Sequence, residues 1–291
     1  MRAAIVTVTL LIAAAFPRHV AAQDGAARGD AAAVIAQARQ ALGGESRLAA
    51  VKTFIATGRT RQVRGDNLVP IEFEIQAELP DRYARRDEFP AQDAGPTTAG
   101  FSGDTLIQLP PPPAPAARPG GPPPPSPEQQ QAMLRSRVTT LKQDVARLML
   151  GLFANTPASF PLAFTYVAQA EAPQGKADVL DAKGPANFTA RLFIDAQNHL
   201  PIMVSWQQAG APPRRGGPPP TPPAAGAPPA SAGAPPTLEH RLYFADYREV
   251  DGVKWPFRIR HAVAGDTIEE TTFDRYRINA RIDPRRFETV K

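Results

Sequence analysis

The chain has 291 residues, of which 34 are proline and none is cysteine, and a formal net charge of +5. The absence of cysteine excludes disulfides, thiolate metal sites, a cysteine nucleophile and a lipid-modified N-terminal cysteine. The positive charge is mild and dispersed among acids, as in ARRDE (Ala84 to Glu88) and FDRYR (Phe273 to Arg277), so nucleic-acid binding is not expected.

At the N-terminus Arg2 precedes an apolar run from Ala3 to Phe16, and small residues Val20 and Ala22 stand where a signal peptidase reads. Residues 1–22 therefore read as a signal peptide cleaved after Ala22, leaving one domain over residues 23–291; the competing reading is an uncut N-terminal anchor. The run is too short for a permanent membrane helix, and no later stretch is longer. The expectation is a soluble periplasmic monomer with no stable membrane anchor. Cleavage also removes Arg2 and Arg18, and a weak attraction to anionic head groups remains open.

The first predicted element is a helix from Asp30 to Gly44, opened by a capping acid, carrying Val34, Ile35, Ala38 and Leu42, and stopped by two glycines. A helical turn, ESRLAAV, leads to a strand over Thr53 to Arg64. Gly65, Asp66 and Asn67 turn the chain into VPIEFEIQAEL, Val69 to Leu79, which alternates apolar and polar without a slip. Side chains of a strand have a period of two, so one face of this strand is apolar. That face covers either a packed core or a cavity kept open for an apolar ligand. Tyr83 to Phe89 continues the meander.

Two segments, 110–127 and 210–236, hold most of the prolines in long clusters. Proline lacks an amide donor and fixes φ, so neither is an internal strand or helix. They read as disordered or polyproline-II insertions in a single fold, either neutral loop drift or spacers that contact a partner.

Between them, Glu128 to Asn155 forms the strongest helical pattern. Leu134, Val138, Leu141, Val145, Leu148 and Leu152 recur at steps of four and three along one stripe. Burying six such side chains is worth on the order of 10 kcal/mol as an upper bound, so the helix must lie on something apolar. The rest is strands: a hairpin turning at Asp195 to His199, another over Leu238 to Val263 with Asp251-Gly252 at its tip, and a strand over Ile268 to Asn279. Few helices and many successive antiparallel strands define an α+β domain with one large, curved sheet.

Reactive groups are sparse. His199 falls in a turn, and His240 and His261 stand alone among arginines, without a carboxylate at metal-ligand spacing. The pairs Asp87-Glu88 and Glu269-Glu270 are strand neighbours whose side chains face opposite ways, so neither pair shares a proton. Nucleophile-elbow, phosphate-loop and dinucleotide motifs do not occur. The sequence thus proposes no catalytic residue, no metal ligand and no cofactor, and an enzyme is the minority reading. Trp206, Trp255, Phe193, Phe244 and Phe257 line either a ligand cavity or ordinary core.

The order of elements, with LGGESRLAAVKTFIATG, LPDRY, RLFIDAQNHLPIMVSW, DYREVDGVKWPF (Asp246 to Phe257) and the IDPxxF ending (Ile282 to Phe287), resembles the LolA/LolB-like superfamily of periplasmic lipoprotein-sorting carriers. The resemblance implies an unclosed, strongly curved antiparallel β-barrel with a helical lid, which holds acyl chains against its concave face without chemistry. It implies a lipid or lipoprotein partner for this chain. It also implies a cavity lined by Val69, Ile71, Phe73, Ile75, Leu192, Ile194, Val204, Trp206, Phe244, Phe257 and Ile259, with the 134–152 stripe as lid. The alternative on the same fold is a sensor or assembly module that binds a protein through its groove or proline-rich loops.

Overall fold

The computed structural model describes residues 30–65, 67–90, 95–111, 125–172, 175–209 and 236–288. The expected signal segment, most of 110–127 and nearly all of 210–236 lie outside them.

Helix α1, Ala31–Leu42, starts where Asp30 accepts a hydrogen bond from the Ala32 amide, and buries Val34, Ala38 and Leu42 on one face. It ends at Gly43, whose φ of 139° suits only glycine and whose missing Cβ makes room for the Gly252 carbonyl. Helix α2, Glu45–Ala50, follows at once.

Twelve strands then build one sheet: β1 Thr53–Arg64, β2 Asn67–Glu78, β3 Arg82–Glu88, β4 Thr97–Ser102, β5 Thr105–Leu109, β6 Ala163–Ala172, β7 Gly175–Gly184, β8 Phe188–Asp195, β9 Pro201–Ala209, β10 Thr237–Val250, β11 Val253–Val263 and β12 Asp266–Ile278. The order across the sheet is β5-β4-β3-β2-β1-β12-β11-β10-β9-β8-β7-β6, and all eleven pairings are antiparallel. The sheet does not close. β5 and β6 are its two edges, and helix α3, Pro127–Phe153, carries the chain from one to the other across the concave face. A short 3-10 helix, Pro284–Phe287, ends the described chain.

The expected alternation of VPIEFEIQAEL holds in β2: Ile71, Phe73, Ile75 and Ala77 are buried. They lie opposite Thr60, Gly58, Ala56 and Phe54 of β1. Phe73, Ile75 and Ala77, with residues of β1, β3, β4, β7 to β12 and the helices, form one apolar core. A small second cluster, Ala84, Ile107, Phe287 and Ile282, packs the 3-10 helix on the outer face.

The end of the first proline-rich stretch is part of α3. Ser126 accepts from the Gln129 amide, Gln129 Oε1 accepts from the Ser126 amide, and Pro127 occupies the first turn, where its missing N–H costs nothing. Replacing Ser126 by alanine is expected to lower stability by about 1 kcal/mol or less, since these first turns are exposed; urea titration measures it. The stripe of α3 is not buried uniformly. Leu134 is 44% exposed, Leu141, Val145 and Leu148 are half-buried, and Val138 and Leu152 are buried. The helix overhangs the sheet at its start and meets the core only from Val138 onward.

Candidate functional site

Between α3 and the concave face lies a cavity of about 250 Å³. Leu141, Val145 and Leu148 hang from the helix, while Ile75, Tyr83, Leu242, Ile259 and Phe273 rise from five strands. The helical spacing that places these three side chains on one face also brings Asp144 to the same wall. Arg85, Glu269 and Thr271 complete it, so an otherwise apolar cavity carries a polar side.

That polar side is a hydrogen-bonded belt laid across the strands. Asp87 accepts from Arg85 Nε at 2.7 Å, and Arg85 Nη2 donates to Thr60 Oγ1 at 3.3 Å. The Thr60 and Thr271 hydroxyls meet at 2.9 Å, and Thr271 donates onward to Glu269 at 3.4 Å. Gln62 donates to the other oxygen of Glu269 at 3.3 Å. The belt follows from register: Thr60 pairs with Thr271, and Gln62 with Glu269, across the β1–β12 seam. Burial disfavours charge on Arg85, but the Asp87 carboxylate, the neighbouring Tyr83 and, last, Glu269 outweigh it, so its pKa lies above the ordinary value. The Arg85 guanidinium also covers the Phe73 ring at 4.7 Å. Burial pushes the Tyr83 phenol up to about 12.

Beyond the cavity, α3 inserts Arg147 into an aromatic slot. Its guanidinium lies 5.2 Å from the Phe188 ring centre and 4.5 Å from that of Trp206. One nitrogen donates to Asp144 at 2.7 Å, whereas buried Nε has no partner among the described residues. Burial lowers the Arg147 pKa and raises that of Asp144. Trp206 stacks in turn on His240 and His261, whose ring nitrogens are 3.1 Å apart, one donating to the other. Among the described residues no three His, Asp or Glu side chains gather to hold a metal.

This histidine pair is expected to make the stability of the fold acid-sensitive. Burial, then His240 and Arg147, lower the His261 pKa from 6.5 to about 4; burial and Arg147 lower that of His240. A depressed histidine is held neutral by the fold. Stability is therefore full above pH 6.5 and falls as the pH drops from there towards about 4. The urea midpoint is expected to decline across this window, and His261→Gln is expected to flatten the decline above pH 5, where few carboxylates titrate.

Of the residues expected to line a cavity, Ile75 and Ile259 border this one. Val69 is half-buried opposite Gln62, Ile71 is buried opposite Thr60, and Phe73 packs edge-on against Phe273 at 5.3 Å. Leu192, Ile194 and Val204 are fully buried in the core. Trp206 sits in the arginine slot, Phe244 lies beneath Gly151 of the helix, and Phe257 packs edge-on against Tyr276 at 5.3 Å. Arg85, Asp144, Glu269 and Thr271 were not among the expected residues. The inward positions Glu269, Thr271 and Phe273 show the period of a half-buried strand, which was the available signal in β12.

No protein-family model and no curated protein matches the sequence. Solved structures do match in three dimensions. A LolA superfamily protein from Nitrosomonas europaea is 11% identical, with 88% of this chain and 96% of that chain covered at a TM-score of 0.50. A putative outer membrane lipoprotein-sorting protein domain from Vibrio parahaemolyticus is 10% identical, with 87% and 94% covered at a TM-score of 0.45. A DUF1329 family protein from Desulfovibrio piger is 6% identical, with 88% and 96% covered at a TM-score of 0.45. The chain has a LolA-like fold: an unclosed antiparallel barrel with a helix over its concave face. No described helix is long and apolar enough to cross a membrane.

Proposed function

We propose that this protein is a non-enzymatic periplasmic carrier that holds an acyl chain of a lipid or lipoprotein between α3 and the concave face. The observation that carries this reading is the cavity itself, walled by Leu141, Val145, Leu148, Ile75, Ile259 and Phe273 at the place where helix and sheet would otherwise be in contact. Apolar burial supplies the affinity, and no reactive group takes part. The volume of about 250 Å³ lies just under the roughly 300–1,000 Å³ of drug-sized pockets, which fits one chain with the helix where it stands. The likeness to a LolA superfamily protein agrees with this reading.

Native mass spectrometry of the protein purified after export, with organic extraction, tests it. Adducts at lipid mass are expected for the native protein and are expected to vanish in Val145→Trp, whose indole fills the cavity from the helix side. A protein that stays free of adducts after incubation with phospholipid and acylated peptide is not a carrier.

A second reading has its own observation. The first turns of α3 expose Met133 and Leu134, beside a groove lined by Leu106, Ile107, Arg137 and Leu141 at edge strand β5. This surface suits a protein partner, and loss of partner capture in Met133→Glu with lipid binding intact would select that reading.

A further inference from the structure

We propose that the cavity selects an amphiphile whose polar end is a protonated amine, in preference to one ending in a carboxylate. This rests on the carrier reading and names the chemistry of its ligand.

The charges on the polar wall do not balance. Arg85 is committed to Asp87 and Thr60, with its face on Phe73. Arg147 is committed to Asp144 and to its aromatic slot. Each arginine is thus matched by a carboxylate in contact. Glu269 is left over from this contact pairing: among the described residues it accepts only from the neutral donors Gln62 and Thr271, no ion pair reaches it, and it feels only the longer-range field of Arg85, whose contacts are spent on Asp87 and Thr60. Its cross-strand neighbour His261 is held neutral by burial and supplies no compensating charge at neutral pH.

An incoming anion would therefore meet one unpaired carboxylate, with the adjacent Arg85 already engaged. An incoming ammonium meets the unpaired Glu269 on the β12 side, and on the helix side Asp144, whose charge is already answered by Arg147, so that no free positive charge faces it across the same cavity. Its chain would lie along Ile259, Phe273, Val145 and Leu148. The assignment runs against the charge of the whole chain, which is +5, so unspecific adsorption favours the opposite ligand.

Isothermal titration at pH 7.5 with dodecylamine, dodecanol and dodecanoate separates the terms, because the three share one tail. The amine is expected to bind about tenfold tighter than the acid, the weight of one charge-assisted hydrogen bond, with the alcohol between them. Glu269→Gln keeps the acceptor from Thr271 and removes the charge; it is expected to bring amine and acid to within about threefold. Asp144→Asn, on the other wall, is the second variant should the first not fold, and is expected to narrow the ratio in the same direction. Equal or tighter binding of the acid by the native protein overturns the assignment and leaves the carrier reading standing. So does an amine preference that both folded variants retain. Absence of binding by all three ligands overturns the carrier reading and this assignment with it.

Discussion

Replacing Gly151 by alanine is expected to destabilise the protein by about 2 kcal/mol, the reverse of what a glycine inside a helix ordinarily does. On helix propensity alone the substitution gains about 1 kcal/mol. Here a Cβ would lie 2.1–2.4 Å from three carbons of the Phe244 ring, which is itself 4% exposed and has nowhere open to move. Overpacking of this kind costs about 3 kcal/mol, so it outweighs the propensity gain. The Gly151 carbonyl is also pinned, 2.8 Å from the Tyr247 hydroxyl, which lies 2.9 Å from the Pro201 carbonyl as well. The helix therefore cannot lift locally without losing that contact. Urea titration gives the sign, and Gly151→Ala combined with Phe244→Leu is expected to recover part of the loss. A stable Gly151→Ala protein would show that α3 rests on the sheet less closely than Phe244 indicates.

Trp255→Ala is expected to cost about 3–5 kcal/mol. Trp255 is fully buried, with the Phe54, Phe153 and Tyr276 ring centres at 5.3, 5.4 and 4.8 Å. It joins β1, the end of α3 and β12, so its removal leaves a void that none of the three can fill alone. Trp255→Phe is expected to be far milder, about 1 kcal/mol or less. The buried indole N–H has no partner among the described residues, and deleting an unsatisfied donor offsets much of the lost volume. Thermal unfolding of the two variants side by side tests the argument: similar losses would mean that the N–H, rather than the ring volume, matters.

Much of the architecture was legible in the chain because local signals agreed. The alternation of β2, the Asp251-Gly252 turn and the stripe of α3 each state one period clearly, and each is where the structure has it. Strands β4 to β7 were not anticipated individually. TTAGFS, AFTYVAQAEA and GKADVLDAKG are diluted with alanine and glycine, residues of weak strand preference, and their pairing is decided by neighbours distant in sequence. The polar belt was harder still. Thr60 and Thr271 are ordinary strand residues until register sets them 2.9 Å apart across a separation of 211 positions. The residue types of Phe244 and Trp206 leave cavity wall and ordinary core both open, because whether an aromatic faces a void or a helix depends on where Gly151 and Arg147 arrive.

The seam between β1 and β12 has a consequence for biogenesis. Phe54 pairs with Ile278, so the first strand made waits for the last before the middle of the sheet can form. Until then β1 to β5 and β6 to β11 are two separate sheets, each with an extra raw edge. Such non-local pairing slows folding. A chain that emerges N-terminus first thus completes its barrel only after nearly its whole length is released, and a truncation before β12 would leave two sticky halves instead of a smaller barrel.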